Sequence, residues 1–340
     1  MTDQLLRQQV TKFCADIGRF PLLVQGAGGN ASWKDDGLLW IKASGMWLGD
    51  ALTKEIFVPV DLAEVTDALA LGEFIVAPKS ATNLQLRPSI ETLLHAIMPQ
   101  RIVVHLHAID ILACLVRKKC DQEITERMIG LDRYVIVDYF KPGAELAAAV
   151  MAGLSRVGRA NIVFMKSHGV VIGGESVDEV ENVLKNILSR FSVDPVADES
   201  MPSCAPAAPG FSLEGYCEPG CSDVQNLALI PCLYDRLGVD WLLYPDHVVF
   251  MGLTAKTFDD VNHFLNYISS NSRPDLVFIK GQGVWCLESG LTKAKLEQLR
   301  CYYDVLSRQQ PGTELVSLSA NQVRELLNWD AEQYRVGLAK

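Results

Sequence analysis

Helix-like and strand-like periodicities alternate along this chain, and the alternation predicts an α/β fold. Leu5, Leu6, Val10, Phe13, Cys14 and Ile17 form the apolar stripe of an amphipathic helix, whereas the run from Tyr134 to Val137 has the β-branched character of a strand. Size is the third observation. At 340 residues with 49% hydrophobic content the chain can bury a large core, and the length favours two domains over one.

Composition narrows the function more by exclusion than by assignment. A formal net charge of -10 argues against nonspecific contact with nucleic acid or an anionic membrane, and leaves room for a local basic pocket. No apolar run approaches a membrane span, and the first residues lack the pattern of a secretory signal, so a cytoplasmic location is expected. Nine cysteines, an odd number scattered without a small-domain framework, fit reduced thiols.

After the first helix comes Q-G-A-G-G-N-A-S-W-K (residues 25–34), then a D-D-G turn and L-L-W-I-K-A-S-G (residues 38–45). Small residues there let backbone N–H groups approach a ligand, and Asn30, Ser32 and Ser44 add side-chain hydrogen bonds. Tight turns at strand ends account for the same residues equally well. A helix is expected over 61–71, a loop over 75–86, a helix over 109–116 and another over 144–154. Residues 161–174 read as two strands separated by S-H-G, with Ser176 capping a helix to about Phe191. A histidine between Ser and Gly, His168, has little packing role.

The stretch from Arg87 to Ala108 holds three of the six histidines. Its second half alternates as a buried strand, which puts His105 and His107 on one face; they are either a two-point chelate for a borderline metal or a hydrogen-bonded pair. Its first half has helical spacing, so Glu91 and His95 are expected on one face, Glu91 as a helix-terminal charge or as an acid/base.

Between 193 and 222 the chain turns rich in Pro, Ala, Ser and Gly, which predicts a linker between a first domain (1–192) and a second α/β domain (223–340). Cys204, Cys217 and Cys221 lie in it with spacings that fit no common zinc framework. Shifting the chain by 114 positions lays residues 132–190 over 246–304 without a gap, so strand, helix, strand, strand, helix is expected to recur. Gln282 then stands where His168 does, which makes the second domain a degenerate repeat without metal ligands if the match reflects duplication rather than convergent patterning.

Together the G-N-x-S turn (Gly29, Asn30, Ser32), the S-G pair (Ser44, Gly45), the S-x-E (Ser89, Glu91), the H-x-H (His105, His107), the Y-x-x-x-G (Tyr139, Gly143) and the H-G (His168, Gly169) resemble the class II aldolase/adducin superfamily. The resemblance runs from about Leu5 to Phe191, and the 88–99 run looks most like the aldolase part of bifunctional rhamnulose-phosphate aldolase/dehydrogenase proteins. It implies a three-layer α/β/α domain with a mixed, largely antiparallel sheet. By the same resemblance His105, His107 and His168 would hold a divalent metal, usually zinc, and Glu91 would move a proton. Tyr139 would act on the aldehyde oxygen, often from a neighbouring subunit, and Gly29, Asn30, Ser32, Ser44, Gly45 and Ser89 would bind phosphate. His95 would be a packing companion of the glutamate.

The activity implied is cleavage of a ketose 1-phosphate to dihydroxyacetone phosphate and a short aldehyde by a homo-oligomer. The same scaffold supports 4-epimerases, dehydratases and decarboxylases, and adducin heads keep the fold without the histidines as assembly modules. One departure stands out: Ile90 occupies a position where simpler relatives carry a second serine.

Overall fold

A computed structural model describes residues 3–74, 80, 86–131, 133–196, 212–289 and 291–338. The first part runs α1 (Asp3–Ile17), β1 (Asn30–Asp35), β2 (Leu38–Lys42), β3 (Phe57–Asp61), α2 (Leu62–Ala70), α3 (Thr92–Ile97), β4 (Ile102–Leu106), α4 (Ile109–Leu115), α5 (Cys120–Arg127), β5 (Tyr134–Val137), α6 (Ala144–Val157), β6 (Ile162–Met165), β7 (Gly169–Gly174) and α7 (Val177–Phe191). Its seven strands form one sheet in the order β3-β2-β1-β4-β7-β6-β5. All neighbours are antiparallel except β5 and β6, so the sheet is mixed and largely antiparallel.

Strand alternation divides the core between two faces. Ile102, Val104 and Leu106 of β4 pack with residues of α1, α4, α5 and α7 on one side. Val103 packs with α3 and α6 on the other, and β2 and β3 cover that face with α2 and α3. The result is a three-layer α/β/α unit. Local chemistry sets its boundaries: Asp36 and Gly37, both at positive φ, make the two-residue turn that joins β1 to β2. Asp61 and Ser176 cap α2 and α7 by accepting from the backbone N–H three residues on.

The remainder contains β8 (Tyr216–Cys217), α8 (Asn226–Leu229), α9 (Pro231–Leu237), α10 (Pro245–Met251), β9 (Thr257–Phe258), α11 (Val261–Ile268), β10 (Leu276–Ile279), β11 (Gly283–Leu287), α12 (Lys293–Leu306), α13 (Ala320–Leu327) and α14 (Asp330–Leu338). A second sheet runs β8-β11-β10-β9. Within the stretch expected as linker, 197–211 lies outside the described residues, Cys204 with it, and Tyr216–Cys217 pairs with β11. Most of the 75–86 stretch also lies outside them. The described cysteines are free thiols, and among the described residues no helix is long and apolar enough to cross a membrane.

Under the 114-residue shift, β6 falls on β10, β7 on β11, α7 on α12 and α6 on α11. The first strand breaks the pattern: residues 248–251, which the overlay expects as a strand like β5, belong to helix α10. Pro245 at the first helical position predisposes that segment to a helix, and Val248 and Phe250 are buried within it. The place of β5 beside β6 is taken by β9, which runs parallel to β10 as β5 does to β6.

α4 joins the two parts. Ile111, Cys114 and Leu115 face the first core, while Ile109, Leu112, Ala113 and Val116 pack with Leu227, Trp241, Tyr302 and Val305 of the second. Just past its end the buried Arg117 donates Nε to Gln309 Oε1 (2.9 Å), Nη2 to the Arg308 carbonyl (2.8 Å) and Nη1 to Glu123 (2.6 Å). Replacing Arg117 by Met leaves those acceptors unpaired, so denaturant titration should show a loss of about 3–5 kcal/mol.

Candidate metal centre

β4, the central strand of the seven, carries two of the histidines, and its neighbours β1 and β7 flank them. Asn30 at the start of β1 pairs with His105 on one side, and Val171 of β7 pairs with it on the other. The turn between β6 and β7 places His168 at the same end, with Ser167 at φ 51 so that the chain reverses tightly. Gly169 has to lack a side chain there: a Cβ would sit 2.9 Å from His105 Cε1 and 2.4 Å from the Leu106 carbonyl oxygen.

Three imidazoles therefore converge. One nitrogen of each of His105, His107 and His168 lies within 4.8 Å of the others, and all three residues are buried. The Nε2 atoms of His105 and His107 face each other at 3.0 Å, while His105 Nδ1 contacts the Val170 carbonyl at 3.1 Å. That carbonyl can only accept, which puts the His105 proton on Nδ1 and leaves the Nε2 lone pair inward. Burial pushes His107 and His168 down to about 3, so both rings are neutral at physiological pH.

Glu91 completes the cluster from the N-cap of α3, where its side chain makes no cap hydrogen bond. It accepts from Asn30 Nδ2 at 2.5 Å through Oε2. Its other oxygen, Oε1, is 3.3 Å from His168 Nε2 and 3.7 Å from His105 Nε2, and accepts no hydrogen bond. Burial alone would raise this carboxyl, but the two imidazoles and the Asn30 amide hold it below the ordinary carboxylate value. A buried carboxylate oxygen without a partner beside three buried imidazoles is a donor set suited to a divalent cation of borderline softness.

The predicted residues divide sharply. Gly29, Asn30, Ser44, Gly45, Ser89, Glu91, His107 and His168 line one cleft, with His105 beneath them. Ser32 does not reach it: fully buried one turn of the pleat further along β1, it contacts His95 Nδ1 at 2.8 Å. Glu91 and His95 thus diverge, because Glu91 precedes the helix that carries His95, and His95 is a fully buried packing residue. Tyr139 is also absent from the cleft. It packs against the cluster of Val248, Leu318, Val323 and Leu326, and its buried hydroxyl has no partner. The C-terminal helices of the same chain cover it, so within one chain it does not reach these histidines.

Other cleft residues were not expected from the sequence. Lys42, at the end of β2, is fully buried and donates to the carbonyls of Ala27 (3.0 Å) and Met46 (2.6 Å); burial, with Arg335 nearby, lowers it to about 7. A lysine inside the apolar run L-L-W-I-K was the available signal. Asp246 and Arg335 arrive from α10 and α14. Arg335 Nη2 donates to Asp246 Oδ1 at 2.9 Å and Nη1 pairs with Glu332, which holds Asp246 at about 2 against the opposing effect of burial. Nothing local in the sequence marks these two, since both act across more than 85 residues.

Over 92 residues the chain is 40% identical to an uncharacterized oxidoreductase, YuxG, of Bacillus subtilis (strain 168); the match covers 26% of this chain and 13% of that protein's length. Among solved structures, the N-terminal class II aldolase domain of a conserved protein from Thermoplasma acidophilum is 26% identical, with 56% of this chain and 93% of that one covered at a TM-score of 0.47. YgbL of Klebsiella pneumoniae, a putative aldolase/epimerase/decarboxylase, is 23% identical, with 56% and 88% covered at a TM-score of 0.42. The family profile described as Class II Aldolase and Adducin N-terminal domain matches residues 8–187, which hold every strand of the large sheet and all three converging histidines. More than half of the sequence being matched in this way, the chain belongs to the class II aldolase and adducin family.

Proposed function

We propose that the protein is a divalent-metal-dependent aldolase, with zinc as the expected ion, that cleaves a ketose 1-phosphate to dihydroxyacetone phosphate and a short aldehyde. The observation that carries this reading is the meeting of three buried imidazoles with the unpartnered Glu91 Oε1 in one polar cleft. Held by His105, His107 and His168, the cation would supply Lewis-acid stabilisation for negative charge developing on substrate oxygens as the carbon–carbon bond breaks.

Glu91 carries the proton in this scheme. Asn30 fixes Oε2, so Oε1 is the atom that takes the proton from the substrate hydroxyl that becomes the aldehyde oxygen and returns it to the carbon left electron-rich by cleavage, with both transfers reversed in condensation. In the same cleft the hydroxyls of Ser44 and Ser89 and the backbone of Gly45 offer a phosphate hydrogen bonds, with the Lys42 amine beside them. Ile90 lines the same cleft and replaces one hydroxyl with an apolar wall, which narrows the phosphate contacts to those groups.

Glu91→Gln should lower retro-aldol turnover by about 10²–10⁴-fold while elemental analysis still finds the metal. Full turnover in that variant would refute the assignment. Product analysis across a panel of sugar phosphates separates cleavage from epimerisation, dehydration and decarboxylation on the same scaffold.

Acid should weaken the metal-free protein through the same histidines. His107, His168 and His247 are held near 3 by burial, against an ordinary value of 6.5, so as pH falls below 6.5 the unfolded chain takes up protons that the folded chain refuses. Their contribution is complete above 6.5 and is lost progressively towards 3. The thermal midpoint should therefore fall between pH 7 and pH 5, with calorimetry in several buffers showing proton uptake on unfolding.

A further inference from the structure

Each metal-facing imidazole needs something to settle which nitrogen holds its proton, and the three find different surroundings. His105 has the Val170 carbonyl. His168 Nδ1 is buried with no partner. His107 Nδ1 faces a carboxylate from the other part of the chain: Asp246 Oδ2 lies 3.6 Å away.

Three features mark this approach as built rather than incidental. Asp246 is 4% exposed, and its Oδ2 accepts no hydrogen bond although Oδ1 takes one from Arg335. Arg335 is in turn held by both oxygens of Glu332, so a buried chain of Glu332, Arg335 and Asp246 leads to the ring. Gly28 leaves the gap open: a Cβ there would lie 2.9 Å from His107 Nδ1 and 3.0 Å from Asp246 Oδ2. An ionised carboxylate can only accept, so the complementary state of His107 carries its proton on Nδ1 and presents the Nε2 lone pair inward, towards His105.

We propose that Asp246 is a positioning residue for His107, fixing its Nδ1–H tautomer, and that the C-terminal part of the chain thereby completes the metal site. The inference rests on the metal reading above, but the tautomer can be measured without metal. Asn at 246 has one acceptor oxygen, which Arg335 would claim, turning the amide NH2 towards His107 Nδ1 and favouring the Nε2–H form.

The test uses the full chain labelled with 15N at histidine. Long-range proton–nitrogen spectra of the metal-free parent should show His107 as Nδ1–H, and Asp246→Asn should shift it to Nε2–H. In competition with a chromophoric chelator, the variant's zinc affinity should fall roughly 10–100-fold. Gly28→Ala, which wedges the two groups apart without removing a charge, should move both readouts in the same direction, and it decides the matter if Asp246→Asn fails to fold. An unchanged tautomer would overturn the proposal, whether or not affinity falls, because a loss of affinity alone would reflect charge at a distance. A parent that binds no zinc would instead sink the metal reading, with the tautomer still deciding this one.

Discussion

The joint between β4 and α4 is the constraint on which the rest of the molecule depends. β4 delivers His105 and His107, and three residues after His105 the chain is already the N-cap of a helix buried on two sides. Because α4 packs with both cores, the same few residues fix the histidines and the surface on which the C-terminal part rests. Placing α12 against α4 and α10 against α12 carries Asp246 to His107. The geometry of the site and the docking of the two parts are thus one packing problem.

Charge in the cleft obeys the same economy. Glu91, Asp246 and Glu332 face Lys42 and Arg335 in a setting where each alone would cost several kcal/mol to bury, on the order of the usual penalty for an unpaired ion. Each has a partner: Asn30 for Glu91, backbone carbonyls for Lys42, and a guanidinium between two carboxylates for the rest.

Local periodicity made some of this legible and left the rest invisible. The period of two on β4 was enough to put His105 beside His107, and a histidine in S-H-G had no structural excuse. The motif that names Ser32 says nothing of depth: only Asn30 stands at the strand end where the cleft opens, and Ser32 lies inside against His95. Glu91 lines the cleft although it precedes α3 instead of riding on it. Motif order is equally silent about which distant helices will cover a loop, and Trp329 and the α13 cluster pack over the loop that holds Tyr139 and Gly143. Lys42, Asp246 and Arg335 act through contacts set by the docking of whole elements, which no window of sequence contains.

The 114-residue overlay shows what a site needs beyond a turn. Ser167 and Gly281, equivalent under the 114-residue shift, both have positive φ, and the turn bond from His168 N to the Met165 carbonyl (3.1 Å) recurs from Gln282 N to Ile279 (2.9 Å). The turn that presents His168 is therefore present twice. What differs is the strand beside it. β7 is flanked by β4, which leads into the two histidines, whereas β11 is flanked by β8, two residues long, with no counterpart of β4 or β1 beyond it among the described residues. A conserved turn shape without the neighbouring strand can carry Gln282 at no cost, because it has nothing to ligate. In the first unit the same turn is constrained from both sides, by the rings across from it and by Gly169 at its exit, where even a methyl group would collide with the neighbouring strand.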